Sequence, residues 1–214
     1  VGPRVVCSNR GLAGKLGSRA SIDWCNGLIA YATQRSVAVV SERTLEVVQT
    51  LDDHATSVTA VRFARTTVMR PTVAQAELLL ATGDQSGTIL LWHVGFVFSF
   101  SFSFCFLLSQ LCTHSNSEPD RNGSVLSSMH DVRMAVDQME WHPEQEDILL
   151  SYHVAPTTTS GLGVVVLWNT KNAAQLWSRP VHDCSPGLSL QFSPFDPAMF
   201  AFATTNGSIF LVHD

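Results

Sequence analysis

Charge is scarce in this chain: Lys, Arg, Asp and Glu make up 14% of its 214 residues, and the formal net charge is −5 with a pI near 5.9. No broad basic surface is available for bare nucleic acid or anionic lipid, so both are disfavoured as partners. The five cysteines, Cys7, Cys25, Cys105, Cys112 and Cys184, are scattered and form no Cys-x-x-Cys pair. That pattern argues for a reducing compartment and against both a disulfide framework and a zinc site. The opening VGPRVVCSNRGLAGKLG lacks the apolar core of a signal peptide, which leads us to expect the protein on the cytosolic side.

Catalytic signatures are equally thin. GLAGKLGS has the look of a phosphate-binding loop, but Lys15 is followed by Leu16 instead of Ser or Thr and the glycine spacing is wrong, so it reads as an irregular loop. In EWHPEQED, the residues Glu140, His142, Glu144, Glu146 and Asp147 could suggest metal ligands. With Pro143 forcing a turn after a strand, they read better as a solvated loop between two strands. No convergent acid, base or metal set can be nominated, and no cofactor, metal or small-molecule substrate is expected.

What is present is a repeat. The interval from His54 to Trp92 and that from His130 to Trp168 are both 38 residues. Within them, DHATSVTAVRFA and LLLATGDQSGTILLW correspond to HDVRMAVDQMEWHP, DILLSYH and GVVVLW, so that each unit supplies about four short strands. A weaker copy runs from VHDCSPGLSLQFSPFDP to MFAFATTNGSIFLVHD, where Val212 replaces the tryptophan, and an earlier one runs through ASIDWCNGLIAYATQRSVAVVSERTLEVVQTL. Because His54, His130 and His182 recur, they read as serving the repeat, whereas a catalytic base is needed once. Trp92 and Trp168 read as core. Trp24, Trp141 and Trp177 fall at expected strand ends, where core packing is favoured over an interface role.

Units of this length with four strands, an early His and a late Trp resemble the blades of WD-repeat β-propellers. The resemblance implies a hydrogen-bonded set in each blade: His54, Thr82 and Trp92 in one, His130, Ser151 and Trp168 in the next, with His182 opening the last. The family's turn aspartate is missing from this reading, Ser86 standing in its place and TTTSGLG offering no equivalent. The expected fold is all-β, a partial propeller of about four blades: a lead-in over 1–19, then blades over about 20–50, 51–127, 128–180 and 181–214. Beginning at Val1, with fewer blades than the roughly seven common in this family, the chain is expected to be a fragment of a seven-bladed or double propeller.

One segment breaks the repeat. Gly95 to Glu118 reads GFVFSFSFSFCFLLSQLCTHSNSE, 24 residues that account for the whole excess of the Trp92–Trp168 interval, 76, over the His130–His182 interval, 52. Alternating Phe and Ser would place the phenylalanines on one face of a strand. Phe96 to Cys112 is apolar and uncharged but sits at the short limit of a membrane span, and a spanning helix there would sever its blade. Phe, Ser, Leu and Cys codons are rich in pyrimidines, so the run is also what the end of a retained intron would encode; this third reading is preferred.

Function is then expected from rigid loop surfaces suited to holding proteins. The order of ASIDWCNGLIAY, LEVVQTLDDH, LLLATGDQSGTILLWHV, VVVLWNTKNAAQLW and LQFSPFDP is similar to one large trafficking scaffold of the family. That similarity implies a non-enzymatic role among trafficking-complex subunits in vesicle capture at the trans-Golgi network, peripheral to membranes through partners. Cilium assembly and Hedgehog signalling, with the cilium base or nucleus as further locations, belong to the same implication. The alternative is a substrate receptor of a cullin ubiquitin ligase, which WHVG and WNTK weaken because they lack the Trp-Asp-x-Arg of many such receptors.

Overall fold

The computed structural model describes residues 21–65, 68–69, 75–97, 125–129, 133–155, 163–181 and 185–213. Four antiparallel sheets follow one another along the chain, and there is no helix among the described residues. The first sheet is β1 (Ile22–Cys25), β2 (Leu28–Thr33), β3 (Ser36–Ser41) and β4 (Val47–Leu51), paired in that order. Its first hairpin closes on Asn26-Gly27, both at positive φ (47° and 77°), the backbone that a tight two-residue turn demands.

The second sheet contains β5 (Val58–Phe63), β6 (Val68–Met69), β7 (Gln75–Asp84), β8 (Ile89–Val97) and β9 (Val125–Met129), in the order β5-β7-β8-β9 with β6 beside β7. Gly95 to Val97, assigned to the insert by spacing, continue β8 and pair with Gln75 to Glu77. Residues 98–118 lie outside the described residues, and with them most of the Phe96–Cys112 stretch. No helix among the described residues is long and apolar enough to cross a membrane. The blade takes its fourth strand from beyond the insert, Trp92 pairing with Val125 and Ile89 with Met129.

The third sheet comprises β10 (Ala135–Trp141), β11 (Ile148–Val154), β12 (Gly163–Asn169) and β13 (Ala174–Val181). The fourth, three-stranded among the described residues, comprises β14 (Gly187–Phe192), β15 (Met199–Thr204) and β16 (Ile209–His213). The first strands of successive sheets adjoin, β1 against β5, β5 against β10 and β10 against β14, which is the stacking of propeller blades around a common inner wall. Close approach there depends on glycine: a Cβ on Gly83 would lie 2.5 Å from Val136 Cγ1, and one on Gly187 would lie 2.7 Å from Gln138 Cγ.

Three apolar clusters fill the spaces between sheets, as a period-two pattern with one face toward each neighbour requires. Trp92 points back into the first cluster with Leu28, Ala30 and Phe63, Trp168 into the second with Met139 and Leu149, and Val212 edges the third with Phe200 and Phe202. The remaining tryptophans divide. Trp141 is buried and donates its indole N–H to the Arg62 carbonyl at 3.0 Å. Trp24, expected in the core, is 59% exposed, because it lies on the face of β1 turned away from the second sheet. Trp177 stands within β13 and not at its end, stacked on Phe200 with centroids 5.9 Å apart.

Candidate functional site

The second sheet assembles a buried polar chain of four residues from three stretches of sequence. His54, in the connection before β5, is 1% exposed; Thr82 and Asp84 on β7 and Trp92 on β8 are fully buried. Trp92 Nε1–H donates to Thr82 Oγ1 at 2.7 Å, and Thr82 Oγ1 lies 2.6 Å from His54 Nε2. His54 Nδ1 lies 3.1 Å from Asp84 Oδ2. One assignment of protons satisfies every member: His54 Nδ1–H donates to the carboxylate, and Nε2 accepts the Thr82 hydroxyl.

Asp84 corrects the sequence reading, which put Ser86 in place of the blade aspartate. The carboxylate is present two residues earlier, at the last position of β7, where it reads as strand rather than turn. Its Oδ1 accepts the Ser86 N–H at 2.9 Å, the Ser86 hydroxyl at 2.7 Å and the Thr88 N–H at 3.1 Å, so Ser86 serves the aspartate instead of replacing it. Burial pushes the Asp84 carboxyl up, but the hydrogen bonds from His54 and Ser86, the attraction of His54 and the Thr88 N–H outweigh it and bring it to about 2.

The third sheet keeps half of this arrangement. Trp168 Nε1–H donates to Ser151 Oγ at 2.8 Å, as Trp92 does to Thr82. The histidine that meets the serine is His153, two residues on, with Nε2 2.7 Å from Ser151 Oγ and Nδ1 3.2 Å from the Met134 carbonyl. His153 thus stands at the position of Asp84. Burial holds its imidazole down at about 4, so it is neutral, donating from Nδ1 to Met134 and accepting from Ser151. His130 and His182, the sequence candidates for this blade and the next, lie outside the described residues. Nothing in the sequence repeat pointed to His153, although an unspaced His inside a buried strand was a signal available to be read.

These chains have the look of a relay that activates a hydroxyl. Their exposure of 1% or less closes them to any substrate, and their chemistry is to pair buried donors with acceptors.

A second polar set ties three sheets together. Arg62 on β5 reaches Asp23 on β1 at 3.6 Å and pairs closely with Glu140 on β10, and Asp23 Oδ2 also accepts the Phe63 N–H at 2.8 Å. Glu140 therefore leaves the loop to which the sequence assigned it. Burial pushes its carboxyl up, against the pull of Arg62. His142 is likewise 8% exposed and not solvated: its Nδ1 accepts the N–H groups of Glu144 at 3.1 Å and Gln145 at 2.9 Å, so it caps the turn. Glu144 and Glu146 are exposed on that turn, as expected. Among the described residues, no group of three His, Cys, Asp or Glu is placed to hold a metal ion.

The surface that remains for recognition is made of loops at the two ends of the sheets. At one end lie the 142–147, 170–173 and 193–198 turns, the last carrying Phe195 at 95% exposure.

The comparisons with known proteins agree with this layout. The family described as WDR11 first beta-propeller matches residues 17–213. WD repeat-containing protein 11 of Mus musculus is 26% identical over 210 residues, covering 95% of this chain and 14% of that protein. The protein of the same name from Danio rerio is 24% identical over 200 residues, covering 92% of this chain and 13% of that protein. The chain therefore spans a small part of the length of the curated relatives it matches. Among solved structures, a chain of the mitotic checkpoint complex superposes with a TM-score of 0.58 at 14% identity, over 89% of this chain and 46% of that one. The computationally designed Ika4 protein superposes with a TM-score of 0.59 at 13% identity, over 94% of each chain. At these identities the solved structures speak for the fold alone. The family match and the sheet order together show that this chain belongs to the WDR11 first beta-propeller family, whose WD-repeat architecture is that of a protein-interaction scaffold.

Proposed function

We propose that the chain acts as a non-enzymatic scaffold among the subunits of a trans-Golgi vesicle-capture complex, located in the cytoplasm and peripheral to membranes through those partners. Roles in cilium assembly and Hedgehog signalling extend the same proposal. The observation that carries it is the family match over residues 17–213. The geometry adds support, since the polar side chains with catalytic looks are consumed in holding blades together, which leaves rigid loops as the working surface.

The cullin-receptor reading gains nothing further: His93 and Val94 follow Trp92 in β8 with no Asp or Arg, and Asn169 and Thr170 follow Trp168. The test is affinity capture of the tagged chain from cytosol with identification of its partners. Enrichment of trafficking-complex subunits supports the proposal, and recovery of a cullin adaptor in their place overturns it.

A further inference from the structure

Between the third and fourth sheets, the 142–147 and 193–198 turns part around an apolar groove of about 290 Å³. Its floor and walls include Leu167, Leu176, Trp177, Phe192 and Phe200. Two of the apolar side chains at this end are left in water, Leu176 at 50% exposure on the groove's lip and Phe195 at 95% on the turn that forms its rim. Apolar surface exposed beside a concavity is the composition of a protein-binding site.

The rim is held before any partner arrives. His142 Nδ1 fixes one turn through two backbone N–H groups. On the other turn, Ser193 Oγ accepts the N–H groups of Phe195 and Asp196, both at 3.2 Å, and Asp196 Oδ1 accepts that of Ala198 at 3.1 Å. Such preorganisation lowers the ordering cost of association. The Trp177 ring lines the groove, its Nε1–H buried and without an acceptor among the described residues.

Charge decides which occupant fits. Glu144 and Glu146 are exposed on the rim, while Lys171 beside them is engaged with Asp147 at 3.3 Å, so the rim carries an excess of negative charge. We propose that this groove docks an extended segment of a partner protein that inserts one large apolar side chain and flanks it with lysine or arginine. The inference rests on the scaffold reading and adds the site and the chemistry of a partner to it.

The test uses the 214-residue chain and fluorescence anisotropy of a labelled peptide in which a Leu-Phe pair is flanked on each side by two lysines. Saturable binding is expected, at least about tenfold weaker after Leu176→Asp or Phe195→Ala and about threefold weaker after combined Glu144→Gln and Glu146→Gln, tenfold corresponding to about 1.4 kcal/mol. Both apolar side chains are exposed, so the variants should retain the circular dichroism of the parent. Equal binding of a peptide flanked by glutamates, or undiminished binding by both apolar variants, would overturn the proposal. Failure of the lysine peptide to bind, with trafficking subunits still captured from cytosol, removes the groove and leaves the scaffold reading standing.

Discussion

The second and fourth sheets turn the same hairpin on different side chains. Asp84 and Thr204 each start a turn whose backbone closes identically, Asp84 N–H donating to the Thr88 carbonyl and Thr204 N–H to that of Ser208, both at 3.0 Å, with Gly87 and Gly207 at φ of 92° and 90°. Behind the turn they part. Where the second sheet has Thr82 and Trp92 in a polar chain, the fourth has Phe202 and Val212, with Phe202 stacked on Phe210 at 4.6 Å and 11° between planes. Asp84 has three partners of its own in the turn, whereas Thr204 hands its hydroxyl proton to Asn206, which takes over the Ser208 N–H. The turn therefore does not require the polar chain. What the chain adds is a tie between the hairpin and the preceding connection, through His54, and a fixed orientation for the Trp92 ring. The third sheet lies between the two cases, keeping the Ser151–Trp168 bond while placing a histidine where the second has its carboxylate.

Substitutions sharpen the contrast, and the largest effect is expected at Trp92. Trp92→Ala empties the wall of the first cluster and leaves Thr82 without its indole donor, a loss of about 4 kcal/mol by denaturant unfolding. A loss below that of Val212→Ala would erase the distinction between the sheets.

Next comes the acid response of the third sheet. His153 titrates near 4 when folded against 6.5 for the free side chain. As pH falls through 6.5 the unfolded chain takes up a proton that the folded chain refuses, so stability is complete above that value and about 3 kcal/mol is lost by pH 4. His153→Gln, which keeps an amide for Ser151 and Met134, should flatten urea midpoints over this window. An unchanged slope in that variant would mean that His153 is not the group responsible.

The second sheet responds in a lower window. The Asp84 carboxyl falls from 3.8 to about 2 on folding, so its contribution is present above pH 3.8 and fades as pH drops through 2, about 2 kcal/mol in all. Asp84→Asn should remove that dependence without touching the one between 6.5 and 4. Coincident loss of both windows would show the two sheets to be coupled more tightly than their separate polar chains imply. The smallest change belongs to Val212→Ala, about 1 kcal/mol for two partly buried methyl groups at the edge of the third cluster.

Much of this layout is legible in the chain itself. The recurrence of His, alternating apolar strand and Trp marks the blades, because each sheet must turn one face to each neighbour and period two is the only way for a strand to do so. Asn26-Gly27 carries a turn signal that the repeat reading did not use: these two residues accept the positive φ that a two-residue hairpin demands. The 24-residue excess between tryptophans is pure spacing, and Val125–Met129 completes the second sheet from the far side of it. The hydrogen-bonded roles of Thr82, Ser151 and the two tryptophans are what the resemblance to WD-repeat blades implies, and the second and third sheets bring those pairs together.

Where repeat position and chemistry diverge, only the tertiary structure decides. Asp84 and His153 occupy one place in two blades while sharing no chemical type, so no alignment by residue identity pairs them; the strand register does. Glu140 and His142 look like parts of one acidic loop in the sequence, yet Glu140 turns to Arg62 across 78 positions and His142 closes its own turn. Composition and periodicity mark most of the buried apolar residues, because those depend on local alternation and on the cost of exposing apolar surface, while Trp24 and His142 depart from that pattern. Which buried polar groups meet is set by contacts between strands far apart in the chain, and that information exists only once the sheets have stacked.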